Sequence, residues 1–167
     1  VTLGGNPVHT SGDLPAVGAS APAFSLVGAD LGEFDAGEFA GKSVILNIFP
    51  SIDTPTCATS VRQFNERAAG MDDTVVVCVS ADLPFAMGRF CGAEGIESAI
   101  SASEFRNRDF GEAYGVRIVD GPLSGLLARA VVVIDETGKV AYTQQVPEIA
   151  EEPDYDRALN MLKDTTG

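Results

Sequence analysis

Cys57 ends the run Phe49-Pro50-Ser51-Ile52-Asp53-Thr54-Pro55-Thr56-Cys57, directly after the apolar stretch Val44–Phe49 and directly before a segment with helical spacing. A cysteine in the first turn of a helix sits among backbone N–H groups that lack intrahelical partners, at the positive end of the helix dipole, so its thiolate is favoured. The thiolate is the nucleophilic form. The competing reading, a buried small hydrophobe, is the commoner fate of cysteines at large, and it is the neighbours of Cys57 that weigh against it. Thr54 stands three residues upstream, within reach of the sulfur if the turn is helical, where a hydroxyl donor stabilises the thiolate and can hold an incoming oxygen. Read structurally, Thr54 is a helix cap. Pro50 interrupts the ladder after the strand and turns the chain toward the helix, a terminator that can also shield the thiol.

The remaining candidates are read in the same way. Cys57, Cys78 and Cys91 are an odd set in a chain too large to need disulfide stapling, and in a reducing compartment such a set is more often catalytic, redox-active or inert than structural. There is no Cys-x-x-Cys, and the single histidine, His9, lies in a Gly/Pro-rich opening, so neither a zinc site nor a Cys-His hydrolase is expected. His9 reads as a solvated or packing residue. Cys78 lies in Val75-Val76-Val77-Cys78-Val79 with no polar company and reads as inert core, and Cys91, beside Phe90, is by itself a packed helix residue. Arg129 precedes the apolar run Ala130–Ile134, a costly place for a guanidinium unless its charge is used; a surface or interface ion pair is the alternative. Met71 and Met87 read as packing or surface residues, and the acidic run Glu148–Asp156 as a solvated helix start rather than a metal site.

The elements that must position these residues alternate. Val44–Phe49, Thr74–Ser80 and Ala130–Ile134 are nearly continuously apolar, as central strands covered by helices on both faces should be. Asp135-Glu136-Thr137-Gly138-Lys139 reads as a hairpin turn into Val140–Val146, which makes the sheet mixed. Helices are expected over Cys57–Ala69, Pro84–Cys91, Phe105–Tyr114 and Asp154–Lys163, the last with Pro153 at its start. Val1–Leu3 and Val8–Thr10, separated by Gly4-Gly5-Asn6-Pro7, suggest a small N-terminal β-hairpin at the edge. Glycine and proline do not pool in a linker, so 1–167 reads as a single α/β domain: a central mixed β-sheet flanked by helices.

The chain has 167 residues, 45% of them hydrophobic and 21% charged, which is an ordinary globular composition. Eleven lysines and arginines against 24 acidic residues give a formal charge of −13, which repels phosphate backbones and anionic membrane surfaces, so neither nucleic acid nor a membrane is an expected partner. No stretch approaches the length of a membrane span, and Val1–Thr10 has neither the basic region nor the apolar core of a signal peptide, so a cytoplasmic location is expected.

Pro50, Thr54 and Cys57 match the Pro-x-x-x-Thr-x-x-Cys pattern of peroxiredoxins, and Asn47-Ile48-Phe49-Pro50-Ser51-Ile52-Asp53-Thr54 resembles the thiol peroxidase branch of that family. Ser80–Ala86, Arg89–Gly95, Ala128–Val133 and Glu152–Tyr155 are also similar to it, so the likeness extends over most of the chain. The resemblance implies a thioredoxin-like fold, a homodimer, and an atypical two-cysteine mechanism. Cys57 would be the peroxidatic thiolate that attacks a hydroperoxide and becomes sulfenic acid, and Cys91 the resolving cysteine, giving an intrachain Cys57–Cys91 disulfide that thioredoxin or a similar dithiol protein reduces. Arg129 would face Cys57 and stabilise its thiolate, while Thr54 and the Cys57 N–H complete the oxygen cradle. No metal, haem or flavin is implied. Because both thiols are read into regular elements, and two sulfurs bond only when their Cα atoms come within roughly 7 Å, the Cys57 and Cys91 helices are expected to unwind partly in order to meet. Two rival readings stand. A dithiol oxidoreductase would need a cysteine where this chain has Thr54, and a redox sensor would use the same disulfide to signal instead of turning over.

Overall fold

A computed structural model describes residues 1–71 and 73–166; of the expected domain over 1–167, positions 72 and 167 lie outside the described residues. In chain order the elements are β1 (Thr2–Leu3), β2 (Asn6–Pro7), β3 (Ser25–Gly28), β4 (Glu33–Asp35), β5 (Ser43–Ile48), α1 (Pro55–Ala68), β6 (Thr74–Ser80), α2 (Pro84–Glu94), β7 (Ala99–Ser103), α3 (Asp109–Ala113), β8 (Ala130–Ile134), β9 (Val140–Gln145) and α4 (Tyr155–Thr166). Seven strands form one sheet in the order β4-β3-β7-β6-β5-β8-β9. The pairs β5–β6 and β6–β7 are parallel, while β5–β8, β8–β9, β3–β4 and β3–β7 are antiparallel, so the sheet is mixed.

Strand side chains alternate between faces, and the three central strands are apolar on both. Val44, Leu46, Ile48, Val77, Val79, Ala130 and Val132 join Phe110, Tyr114, Val116 and Leu127 on one face. Ile45, Val76, Cys78, Val131 and Val133 pack on the other against Val61 and Phe64 of α1, Met87 of α2, and Ala158, Leu159 and Leu162 of α4. Each fully buried large side chain of this kind contributes about 1.5–3 kcal/mol. Three helices therefore cover the face that carries Cys57, whereas the opposite face is closed mainly by loops and the short α3.

The β6 and β8 boundaries coincide with the apolar runs, but other elements differ from expectation. α1 starts at Pro55, whose fixed φ suits the first helical position, and α2 continues past Cys91 to Glu94, where Gly95 takes a left-handed φ of 65° and ends it. The helix expected over Phe105–Tyr114 shrinks to Asp109–Ala113. Residues 104–108 are held irregular instead, because buried Glu104 accepts from Arg117 Nη2 at 2.5 Å and that same nitrogen donates to the Arg108 carbonyl at 2.6 Å. β3, β4 and β7 have no counterpart in the expected strands; β7, Ala-Ile-Ser-Ala-Ser, is too short and too polar to stand out.

The N-terminal hairpin is tighter than expected. Gly4 and Gly5 both adopt positive φ, 58° and 83°, the geometry of a two-residue hairpin turn, so Thr2–Leu3 pairs with Asn6–Pro7 in a separate sheet. Residues 8–10 leave it: Val8 packs with Ile118 and Ile149, and Thr10 bridges Ile118. Glu148 ties the turn to the body of the protein, accepting from Gly5 N–H at 2.9 Å and from the Thr2 hydroxyl at 3.0 Å. The Ala150 and Gly5 N–H groups hold its carboxyl down from 4.5 to about 2. Because the folded-state value is depressed, this tie is present above about pH 4.5 and is lost as pH falls toward about 2. We therefore expect the protection of the Gly5 amide, relative to its intrinsic exchange rate at each pH, to fall through that window, and Glu148→Gln to produce the same loss at neutral pH. An unchanged Gly5 exchange rate in Glu148→Gln contradicts this.

Candidate active site

Two residues meet because of strand register. Antiparallel β5 and β8 set Ile48 opposite Ala130, so Arg129, just before β8, and Phe49, just after β5, emerge at the same end of the sheet. There the chain passes through buried Pro50 into the turn and enters α1. Cys57 is the third residue of α1 and is fully buried, among Phe49, Ile52, Val61 and Phe64. The first N–H with a helical acceptor is that of Ala58, to Thr54 O at 3.0 Å, so the Cys57 N–H belongs to the open first turn.

Arg129, 2% exposed, reaches this sulfur with Nη2 at 3.3 Å. Its Nε donates to the Ile149 carbonyl at 2.8 Å, and Nη1 is buried with no partner among the described residues. A guanidinium fixed by one backbone acceptor thus presents a charge-assisted donor to Cys57 and leaves Nη1 as a second, uncommitted donor.

The Thr54 hydroxyl does not bond to the sulfur. It donates to the Ser51 carbonyl at 3.0 Å and makes no side-chain cap, although Thr54 is the N-cap by backbone geometry. Its proton is committed within the turn, which leaves its lone pairs as acceptors. One structural support escaped the sequence reading. Ser60, one turn after Cys57, donates to the Cys57 carbonyl at 2.8 Å and accepts from buried Asn47 Nδ2 at 3.2 Å. The only sequence signal is a serine at helical spacing on the buried side of α1.

The other cysteines are elsewhere. Cys91, half-buried on α2, lies 2.7 Å from the Ser101 hydroxyl of β7. Burial pushes its thiol up, and Ser101 opposes this. Cys78 is in the core; burial pushes it up to about 12, with the 3.6 Å contact from Asn47 Nδ2 working the other way. All three are free thiols. His9 is exposed and pairs through Nδ1 with Asp120 at 2.6 Å. The structure thus brings together Cys57 and Arg129, with Pro50 and Thr54 in the turn above them, and holds Cys91 against a different strand.

A cysteine at the start of a helix, following a central strand of a helix-flanked mixed sheet, defines a redoxin site, and the chain belongs to the Redoxin family, whose model matches residues 16–159. A thiol peroxidase of Mycobacterium tuberculosis is 63% identical over 162 residues, covering 97% of each chain. A peroxiredoxin-like protein from Aquifex aeolicus has the same fold with TM-score 0.94 and 48% identity, over 98% of this chain and 95% of that one. A thiol peroxidase from Chromobacterium violaceum superposes with TM-score 0.88 over 99% and 96% of the two chains; at 23% identity it speaks to the fold alone. The thioredoxin-like fold implied by the motifs is the fold observed. Among the described residues, no helix is long and apolar enough to cross a membrane.

Proposed function

We propose that this chain is a thiol peroxidase in which Cys57 reduces hydrogen peroxide or an organic hydroperoxide. The observation that carries this reading is the 3.3 Å contact between buried Arg129 and a cysteine in the open first turn of α1. The Cys57 thiolate attacks one peroxide oxygen: the S–O bond forms, the O–O bond breaks, and the leaving oxygen takes up a proton as water or alcohol. Arg129 Nη2 stabilises charge on sulfur and Nη1 receives the developing charge on oxygen, both preorganised on a buried side chain. Thr54 serves as an acceptor for the peroxide O–H, since its own proton is held by Ser51 O. Pro50 covers the site.

Cys91 is assigned the resolving role. Its thiol attacks the Cys57 sulfenic sulfur, the S–S bond forms, and water leaves. Thioredoxin or a similar dithiol protein then reduces the disulfide, so a thiol reductant is the second substrate. The competing sensor reading stops after one oxidation. We expect the wild-type chain to consume many equivalents of peroxide with a thioredoxin system, Cys57→Ser to consume none, and Cys91→Ser to undergo one oxidation without recycling. Cys78→Ser should behave as wild type, because that thiol is held neutral in the core. Wild-type turnover by Cys57→Ser, or a disulfide mapped to Cys78, contradicts the assignment.

We infer a homodimer and a cytoplasmic setting, where thiols stay reduced. Exposed Leu31, Leu83, Phe85 and Phe105 line one groove, and a clustered apolar surface of this kind marks a protein interface. Sedimentation at twice the chain mass is expected at micromolar concentration, and a monomer there rejects the dimer. Recovery of the protein from an exported fraction rejects the cytoplasmic setting.

A further inference from the structure

Arg129 and Ser101, the partners of the two thiols, belong to strands far apart in the sheet. Ser101 lies on β7 and Arg129 adjoins β8, and β6 and β5 run between them. Both thiols are free and each rests against a different partner, so forming a bond between them takes both sulfurs away from these contacts, and whatever fastens the turn before α1 to the start of α2 opposes that movement.

One carboxylate does most of the fastening. Asp82, in the connection from β6 to α2, accepts from the Ser51 hydroxyl at 2.8 Å through one oxygen. Through the other it accepts from the Ile52 N–H at 2.7 Å and the Ser80 hydroxyl at 2.6 Å. Its own backbone is anchored to the sheet: the Asp82 carbonyl accepts from Ser103 on β7 at 2.5 Å, and its N–H donates to Ser80 at 3.2 Å. Ile52 is 2% exposed and packs in the same cluster as Cys57, so releasing its N–H from Asp82 leaves a buried donor without an acceptor. Among the described residues, the ion pairs between these regions are exposed: Arg89 with Asp53 at 3.4 Å, and Arg62 with Glu94 at 2.9 Å. Exposed pairs contribute little.

We propose that Asp82 is a positioning residue for the resolving step: its carboxylate clamps the Ser51–Ile52 turn against the start of the Cys91 helix, and release of this clamp limits how fast Cys91 reaches the Cys57 sulfenic acid. The inference rests on the assignment of Cys91 as the resolving thiol. The clamp has opposite effects on the two steps. Closed, it holds Cys57 beside Arg129 for attack on peroxide; open, it frees the first turn of α1 for disulfide formation.

Asp82→Asn and Ser51→Ala test this by rapid chemical quench and mass spectrometry, following sulfenic acid and disulfide separately. Loss of a charge-assisted hydrogen bond corresponds to about tenfold in an equilibrium. Asp82→Asn is therefore expected to form the Cys57–Cys91 disulfide about tenfold faster, Ser51→Ala less so, while peroxide attack slows severalfold and sulfinic acid accumulates less. Amides of residues 51–57 should exchange faster in both reduced variants. A residue of purely structural importance would slow both steps together, and that result overturns the proposal. So does a normal disulfide forming at the wild-type rate in both variants, with the pairing of Cys91 left standing. A wild-type protein in which no Cys57–Cys91 bond can be mapped overturns the pairing and the proposal together.

Discussion

The guanidinium of Arg129 is 2% exposed and lies 3.3 Å from Cys57 Sγ, and a charge withdrawn from water in this way costs several kcal/mol unless protein groups replace its hydration. Two replacements are present, the Ile149 carbonyl and the Cys57 sulfur, and only the second can carry a countercharge. Much of the architecture serves this contact. The β5–β8 register brings Arg129 level with the end of β5, and the Val146 N–H bond to the Arg129 carbonyl at 3.0 Å fixes its backbone. Pro50 turns the chain, and Ser60 with Asn47 holds the Cys57 carbonyl from below.

The same packing that prepares Cys57 for its first reaction separates it from the second. Cys57 is buried under α1 against Arg129, while Cys91 faces Ser101 across β7, its thiol raised by burial. A reduced protein with both thiols at rest against different strands has a well-defined arrangement for peroxide and a different one for the disulfide. The turns that lead into the two helices are joined by the Ile52–Asp82 hydrogen bond and the helices themselves by the Arg62–Glu94 ion pair, so movement between the two arrangements involves a discrete set of contacts instead of diffuse flexibility.

Several parts of this were legible in the sequence. The β-branched runs gave β6 and β8 because strands apolar on both faces leave an uninterrupted pattern, and Pro50, Thr54 and Cys57 could be read together because they occupy one turn. Residues whose importance depends on register were harder to read. Nothing near Arg129 in the chain points to Cys57, and their meeting was implied only by family resemblance. Asp82 and Ser60 act through partners distant in sequence or on a buried helix face, and neither has a distinctive spacing. The short α3 was misread because a helical pattern over Phe105–Tyr114 competes with the Glu104–Arg117 ion pair, which only tertiary structure reveals. The Thr54 hydroxyl was expected at the sulfur and is instead held by Ser51, a local choice that propensity does not distinguish.

The central claim is that a buried guanidinium aimed at Cys57 makes that sulfur react with peroxide. The direct measurement is the single-turnover rate of Cys57 sulfenic acid formation in Arg129→Met and Arg129→Lys, with circular dichroism confirming a native fold. Removing one preorganised donor of this kind slows reaction by about 10²–10³. We predict a loss of that size in Arg129→Met, with partial recovery in Arg129→Lys, which restores the charge without the planar fork. A natively folded Arg129→Met that oxidises at the wild-type rate would contradict the account.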